Sequence, residues 1–303
     1  MKRKNIYQEE TRYLFPAYEM KNPKVRMIKA VWGFAVAAGA VLVSVPFVWM
    51  IITSLVDVKH IFEPLTVVAA NISFDFAHYK AALQITPFAR LLANSFIVSS
   101  AAVAGQVLIC AMAAYALSKL KPPMYGVILI LFLSTIMIPF ETIAIPLYIF
   151  IRDFSIPGVF EANLINTYWA LILPGLASAF NIFIFKSFFD KMPDDFLEAA
   201  RVDGYSETLI FFRIVLPISK PILLVVSILS FVNIWNSFFW PLIVINEPEM
   251  YTLMLGIYKL IEEGQAWNVI MAAVTISMLP TITLFALFQK QIMRGVLFTT
   301  LQE

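Results

Sequence analysis

Six long apolar runs alternate with shorter polar stretches along the chain, at residues 30–56, 91–118, 122–151, 162–185, 221–246 and 264–289. Each is free or nearly free of charge, and each exceeds the ~20 residues that a helix needs to cross the hydrocarbon core. The pattern predicts an all-α membrane protein with six transmembrane helices. Placing the amino terminus inside puts 17 of the Lys and Arg residues on that side and 5 on the other, at Lys59, Lys80, Arg90, Arg152 and Lys259. Basic residues gather on the cytoplasmic face. Both termini are therefore expected in the cytoplasm, with the chain in the cell (inner) membrane.

One polar stretch differs from the rest. Residues 192–221 read MPDDFLEAARVDGYSETLIFFRIVLPISKP and form the only long polar, helix-capable segment caught between two strongly apolar runs. Charge sorting places it in the cytoplasm. Pro193, Asp194 and Asp195 set a fixed φ and negative charge where a helix would begin, so a short helix is predicted through Phe196 to Val202. Gly204 can take positive φ without a Cβ clash and ends it, and Ser206 can cap a second helix that Pro217 is expected to stop. Phe196, Leu197 and Ala200 on the first helix and Leu209, Phe212 and Val215 on the second recur at helical spacing and call for a cover. Glu198 and Arg201 lie three apart, placed for a local ion pair of about 0.2–0.5 kcal/mol.

Composition narrows the classes. Of the 303 residues 60% are hydrophobic and 14% charged, against roughly 25% charged in a soluble domain. Cys110 is the one cysteine, so there is no disulfide framework, and His60 and His78 supply little for metal or acid–base chemistry. A net charge of +2 gives no reason to expect nucleic acid. The polar first 28 residues lead straight into an apolar run without a small-residue cleavage pattern, which reads as a cytoplasmic tail and a retained anchor. No G-x-x-x-x-G-K-[ST], H-E-x-x-H or G-x-S-x-G occurs, so no enzyme is expected, and any ATP must be bound by another subunit.

Within the runs a few residues stand out. The third is interrupted by Pro139-Phe140-Glu141 and Ile145-Pro146, and proline at membrane depth is tolerable only in a protein-lined interior or near an interface. Glu141 is the only ionisable residue well inside a run. It marks either a pathway position or a structural acid that hydrogen-bonds across helices. In the fifth run Asn233 and Asn236 lie three apart beside Trp235. Such a set can line a sugar path, because apolar rings stack on pyranose faces and amides satisfy hydroxyls. The other reading makes the amides interhelical glue and Trp240 an interfacial anchor. Residues 246–267 have an apolar centre at Leu253, Met254, Leu255 and Ile257, more than a surface loop normally exposes, which suits a short re-entrant or interfacial helix.

Glu198-Ala199-Ala200, Asp203-Gly204, Ile214 and Leu216-Pro217, at these offsets between two membrane runs, resemble the EAA loop of permease subunits of binding-protein-dependent (type I) ABC importers. The runs MIPFETIAIPLYIF and NIWNSFFWPL look like carbohydrate permeases, of the six-span kind found in maltose transporters. The resemblance implies half of the translocation pathway of an ATP-driven sugar importer, with the first helix of the loop seated in a cleft on an ATPase. Glu198, Ala199, Ala200, Asp203, Gly204, Leu216 and Pro217 would then couple to that ATPase: Glu198 facing a basic group, Asp203 capping or bracing the bend, Gly204 setting its angle. Glu141, Asn233, Trp235 and Asn236 become candidates for the pathway. Tyr251, Leu253, Met254, Gly256 and Tyr258 become candidates for contact with an extracytoplasmic solute-binding protein.

Further partners implied are a second, different permease, two ATPase subunits that bind ATP and Mg, and the lipid bilayer, with no cofactor in this chain. The boundaries expected are a cytoplasmic tail at 1–29, a peripheral first helix at 30–56, an extracytoplasmic segment at 57–90 lying along the membrane, a transporter core at 91–289 with the coupling loop at 192–221, and a cytoplasmic tail at 290–303. Two other functions stay open: an ion-coupled secondary carrier that uses Glu141, and an importer subunit of this family for a non-sugar solute.

Overall fold

The computed structural model describes residues 23–74, 76–85, 87–156 and 160–300. The chain divides into two units, one ending at Phe74 and one made of the remainder. In the first unit, α1 (Pro23–Ser54) is a single helix of 32 residues with apolar side chains exposed on all faces, and its apolar window has a mean hydropathy of 2.3. A helix that is apolar all round suits lipid. Val56, Ile61 and Val68 form a small core beneath the short helix α2 (Leu65–Ala70).

The second unit is built on α4. After α3 (Ala77–Ile85), α4 runs from Phe88 to Tyr115 and continues through a π-helical turn, Ala116–Leu120. Lipid tails are as apolar as leucine, so helices in a bilayer associate through close packing and hydrogen bonds. The buried face of α4 is accordingly rich in small and polar residues, with Ser95, Ser99, Ala102, Cys110, Ala111 and Ala114 between larger side chains at Phe88, Leu91, Val98 and Tyr115. Its main neighbours are α8 (Ala179–Asp190) and α12 (Lys220–Trp235).

The third, fourth and fifth apolar runs are not continuous helices. The third is α5 (Tyr125–Thr135) and α6 (Phe140–Arg152), bent by 101° at a break that ends on Pro139. Proline disfavours helical dihedrals in the residue before it. An antiparallel hairpin, β1 (Phe154–Ile156) with β2 (Phe160–Ala162), follows and pairs Phe154 with Ala162. The other described elements are all helical, as the all-α expectation had it. The fourth run is α7 (Tyr168–Ile172) with a 3₁₀ turn, Leu173–Gly175, bent by 45° from α8, which Ser178 caps by accepting from the Asn181 N–H. The polar segment carries α9 (Asp195–Val202), α10 (Glu207–Ile210), a π turn at Phe211–Val215 and α11 (Leu216–Ile218).

The stretch Glu207–Ile218 then meets α12 at 81°. The expected stop at Pro217 is corrected, because the wide π turn precedes it and the helix ends one residue later, at Ile218. After α12 come α13 (Phe239–Val244), α14 (Leu253–Glu262) and α15 (Trp267–Thr300). The last helix passes Lys290 without a break, so 290–300 continues the sixth helix where a separate tail was expected. Among the described residues three helices are long and apolar enough to cross a membrane, or up to six spans if each bent pair counts as one.

Candidate functional site

The bend between α9 and α10 is made by the backbone. Gly204 adopts φ +82°, and the Gly204 and Tyr205 N–H groups donate to the Arg201 and Ala200 carbonyls at 3.0 Å each, closing the end of α9. Glycine reaches this left-handed region without a Cβ penalty. Ser206 caps α10, its Oγ accepting from the Leu209 N–H at 3.4 Å. Asp203 contributes its own N–H, donated to the Ala199 carbonyl, while its side chain is exposed and makes no hydrogen bond among the described residues. The expected brace from the Asp203 carboxylate is therefore absent among the described residues.

The local Glu198–Arg201 pair does not form. Arg201 reaches across the bend, Nε donating to Glu207 Oε1 at 2.7 Å, and Glu207 Oε2 accepts from the Tyr115 hydroxyl of α4 at 2.6 Å. The reason is direction: Gly204 turns the chain so that Glu207 lies nearer to the guanidinium than Glu198 does. The Glu207 carboxylate pushes the Arg201 pKa up. A second tie comes from the π turn of α4. Lys119 Nζ donates to the Met192 carbonyl and to Asp194 Oδ1, both at 2.6 Å, from a side chain only 6% exposed. A buried ammonium needs such partners. Lys119 in turn holds the Asp194 carboxyl below its ordinary range, by hydrogen bond and by charge. Ser118 adds a bond to Asp190 at 2.6 Å, which Lys186 also pairs at 2.7 Å. Tyr115, Ser118 and Lys119 were not foreseen from the sequence. A polar cluster ending an apolar run just ahead of a conformationally unusual turn was the available signal.

With α9 anchored this way, its two faces separate. Leu197 and Ala200 are buried against α4 and α8, together with Ile210, Phe211 and Val215. The expected apolar set is half right. Phe196 is 58% exposed on the outward face of α9, and in the second helix Phe212 is 45% exposed and Leu209 half-buried, the inward positions being Ile210 and Phe211 at the start of the π turn. Glu198 and Ala199 are exposed, and Val202 is 88% exposed. The outward surface thus combines Phe196 and Val202 with the carboxylates of Asp195, Glu198 and Asp203. Leu216 is half-buried and Pro217 exposed at the far end.

The remaining candidates divide. Glu141 lies exposed in the first turn of α6 and makes no hydrogen bond among the described residues, so within this chain it does not tie helices together. The adjacent Phe140 stacks edge-on against Phe239 and Trp240, which brings the α5–α6 break beside the α12–α13 break. Asn233 and Asn236 are exposed there, and Asn236 donates only to the Val232 carbonyl of its own helix, at 2.8 Å. Neither is interhelical glue within this chain. That role falls to Gln106, Asn181 and Ser230. Gln106 donates to the Gly175 carbonyl, and Asn181 donates to Gln106 Oε1 and Ser230 Oγ at 2.9 Å each. Trp235 is 2% exposed, stacked on Phe231 and donating to the Ser277 carbonyl, so it lines no path. Trp240 is likewise a core residue that donates to the Ala170 carbonyl at 2.8 Å, not an interfacial anchor.

The apolar centre of residues 246–267 is the amphipathic helix α14. Leu253 and Leu255 are fully buried, and Gly256 presses on Leu91 so closely that a Cβ would collide with it. Leu253 and Gly256 are thus enclosed by the chain itself and offer no surface to a binding protein. Tyr251, Met254 and Tyr258 are half-buried. The loop ahead of α14 is fastened to α4, since the Asn94 amide donates to the Glu249 and Tyr251 carbonyls at 2.9 Å and Ser95 Oγ accepts from the Leu253 N–H at 2.7 Å.

A family model described as binding-protein-dependent transport system inner membrane component matches residues 106–297. The sn-glycerol-3-phosphate transport system permease protein UgpE of Yersinia pestis biovar Antiqua is 31% identical over 266 residues, 85% of this chain and 92% of that protein. UgpE of Pectobacterium atrosepticum is 29% identical over 265 residues, with the same coverage. Among solved structures, a chain of a bacterial ABC transporter involved in import of the acidic polysaccharide alginate superposes with a TM-score of 0.74 at 22% identity, covering 88% of this chain and 97% of that one. The alginate transporter in complex with an alginate pentasaccharide-bound periplasmic protein gives a TM-score of 0.61 at 15% identity.

Proposed function

Because this chain belongs to the family of binding-protein-dependent transport system inner membrane components, we propose that it is gripped by an ATPase at α9 and forms half of the path for a carbohydrate or a related polyhydroxylated solute. The observation that carries the coupling assignment is the split surface of α9. Leu197 and Ala200 pack inward while Phe196, Val202, Asp195 and Glu198 stand outward on a helix fastened at both ends. An exposed phenylalanine ringed by carboxylates suits an apolar cleft with basic groups at its rim. Glu198, Ala199, Ala200, Asp203 and Gly204, with Leu216 and Pro217 at the far end, make up this element, and Gly204 sets its angle.

The remaining parts follow from the same proposal. A second, different permease completes the path, and two ATPase subunits bind ATP and Mg. A solute-binding protein delivers cargo on the side opposite to both termini, which lie in the cytoplasm. This chain performs no catalysis itself. Exposed Glu141, Asn233 and Asn236 stand in apolar runs where lipid contact is costly, which suits a surface facing the path or the second permease. The relatives move glycerol 3-phosphate and alginate by their names, so the cargo assigned is a polyol or sugar, charged or not. Family membership sets aside the ion-coupled carrier.

The test is co-purification in mild detergent after expression with the neighbouring genes. Recovery of an ATPase and a second permease with the wild-type chain, and loss of the ATPase alone from a Phe196→Asp variant that still inserts, is the expected result and supports the docking surface. A chain that elutes alone, or an ATPase that binds Phe196→Asp as well as wild type, rules the assignment out.

A further inference from the structure

The third and fourth spans are bent by 101° and 45° at breaks and the fifth is interrupted between α12 and α13, whereas α4 with its π turn runs unbroken from Phe88 to Leu120. Its 33 residues reach about 50 Å at ~1.5 Å per residue. Three sets of side-chain hydrogen bonds fasten it. At one end, Asn94 (3% exposed) holds the Glu249 and Tyr251 carbonyls and accepts from the Tyr168 hydroxyl at 2.7 Å, while buried Ser95 holds the Leu253 N–H. Midway, Gln106 joins the α7–α8 break and, through Asn181, Ser230 of α12. At the other end, Tyr115 holds Glu207, and Lys119 holds Met192 and Asp194.

We propose that α4 is the rod that joins residues 246–267, on the side from which a binding protein delivers its solute, to the coupling segment at residues 192–207, with Asn94 and Ser95 as its positioning residues at one end and Tyr115 and Lys119 at the other. The proposal rests on the functional assignment above. Its physical basis is stiffness. An unbroken helix keeps every interior backbone bond internal, so it passes on an axial shift that a bent span absorbs at its break. Each end is also double: Asn94 and Ser95 grip the two sides of the turn into α14, and Tyr115 and Lys119 grip α10 and the start of α9. A displacement of either loop therefore reaches the other without a change in the packing between them.

The experiment uses the complete assembly, with this chain, its partner permease and the ATPases in lipid nanodiscs. Hydrolysis of ATP is measured with and without solute-loaded binding protein, and uptake is measured in vesicles. Asn94→Ala and Ser95→Ala are expected to keep basal hydrolysis and to lose about five-fold or more of the stimulation, a typical coupling magnitude. Lys119→Met is expected to lose stimulation as well, Lys119→Arg to regain it, and the Asn94→Ala/Lys119→Met pair to fall no further than the worse single variant. Stimulation retained by both Asn94→Ala and Ser95→Ala overturns the rod alone. A basal and a stimulated rate that fall together at constant ratio overturn it too, since that is what loosened packing produces. A wild-type assembly that no binding protein stimulates overturns the functional assignment and the rod with it.

Discussion

The Lys119 ammonium sits 2.6 Å from the Asp194 carboxylate, joining the last turn of α4 to the residue that precedes α9. The partners differ in setting, with the lysine side chain 6% exposed and the aspartate 60%. Breaking the pair from the aspartate side leaves a nearly buried cation with the Met192 carbonyl alone. The contact therefore decides how α9 is presented.

The pair predicts a pH dependence. Lys119 lowers the Asp194 pKa, so the ionised carboxylate is favoured in the folded chain. The stability it contributes is fully present above the ordinary carboxylate value of about 4 and is lost as pH falls through the lowered value. Thermal unfolding in detergent is expected to show an acid-side loss that Asp194→Asn reduces, the remainder belonging to Asp190 and Glu207, whose carboxyls are also held below their ordinary range. An unchanged acid limb in that variant assigns the loss to other carboxylates.

Gly204→Val is expected to destabilise the bend by about 1–2 kcal/mol, the cost of left-handed backbone for a residue with a Cβ. Open space surrounds the position, so the penalty is conformational and not a clash. Gly204→Asn, which tolerates that region better, should retain most transport. Uptake assays on the two variants check the order.

Phe196→Ala separates docking from folding. An exposed substitution costs within about 0.5 kcal/mol of stability, so the melting temperature of the isolated subunit should hold while co-purified ATPase falls. A matching drop in both would make Phe196 a structural residue.

At Gly256 the expected effect is steric. Gly256→Ala drives a Cβ into Leu91, and overpacking of this kind costs about 1–3 kcal/mol. Leu91→Ala should restore part of the loss in the double variant, whereas additive losses would show that the two positions are independent. Unfolding of the four proteins in detergent reads the coupling.

Much of the fold was legible in the chain because its signals are local. A helix begun by Asp194 and Asp195, a glycine at the bend and a serine cap each depend on a few neighbouring residues, and the structure carries these three elements. The inward positions Leu197 and Ala200 followed from helical spacing in a polar segment, where an apolar residue stands out. Inside the apolar runs that contrast vanishes, since lipid-facing and protein-facing sides are equally hydrophobic. Hence Trp235, Trp240, Leu253 and Gly256 read as surface candidates and proved to be core, while Gln106, Asn181 and Asn94 passed without notice. Pairing across a bend was equally hidden. Arg201 chose Glu207, six positions on, over Glu198, three positions back, because the turn at Gly204 decides which carboxylate is near. Local signals thus specified the apolar runs, the start of α9 and the glycine turn that ends it. Which helix faces meet was settled only in the folded chain, because that depends on angles at breaks and on contacts between residues far apart in the chain.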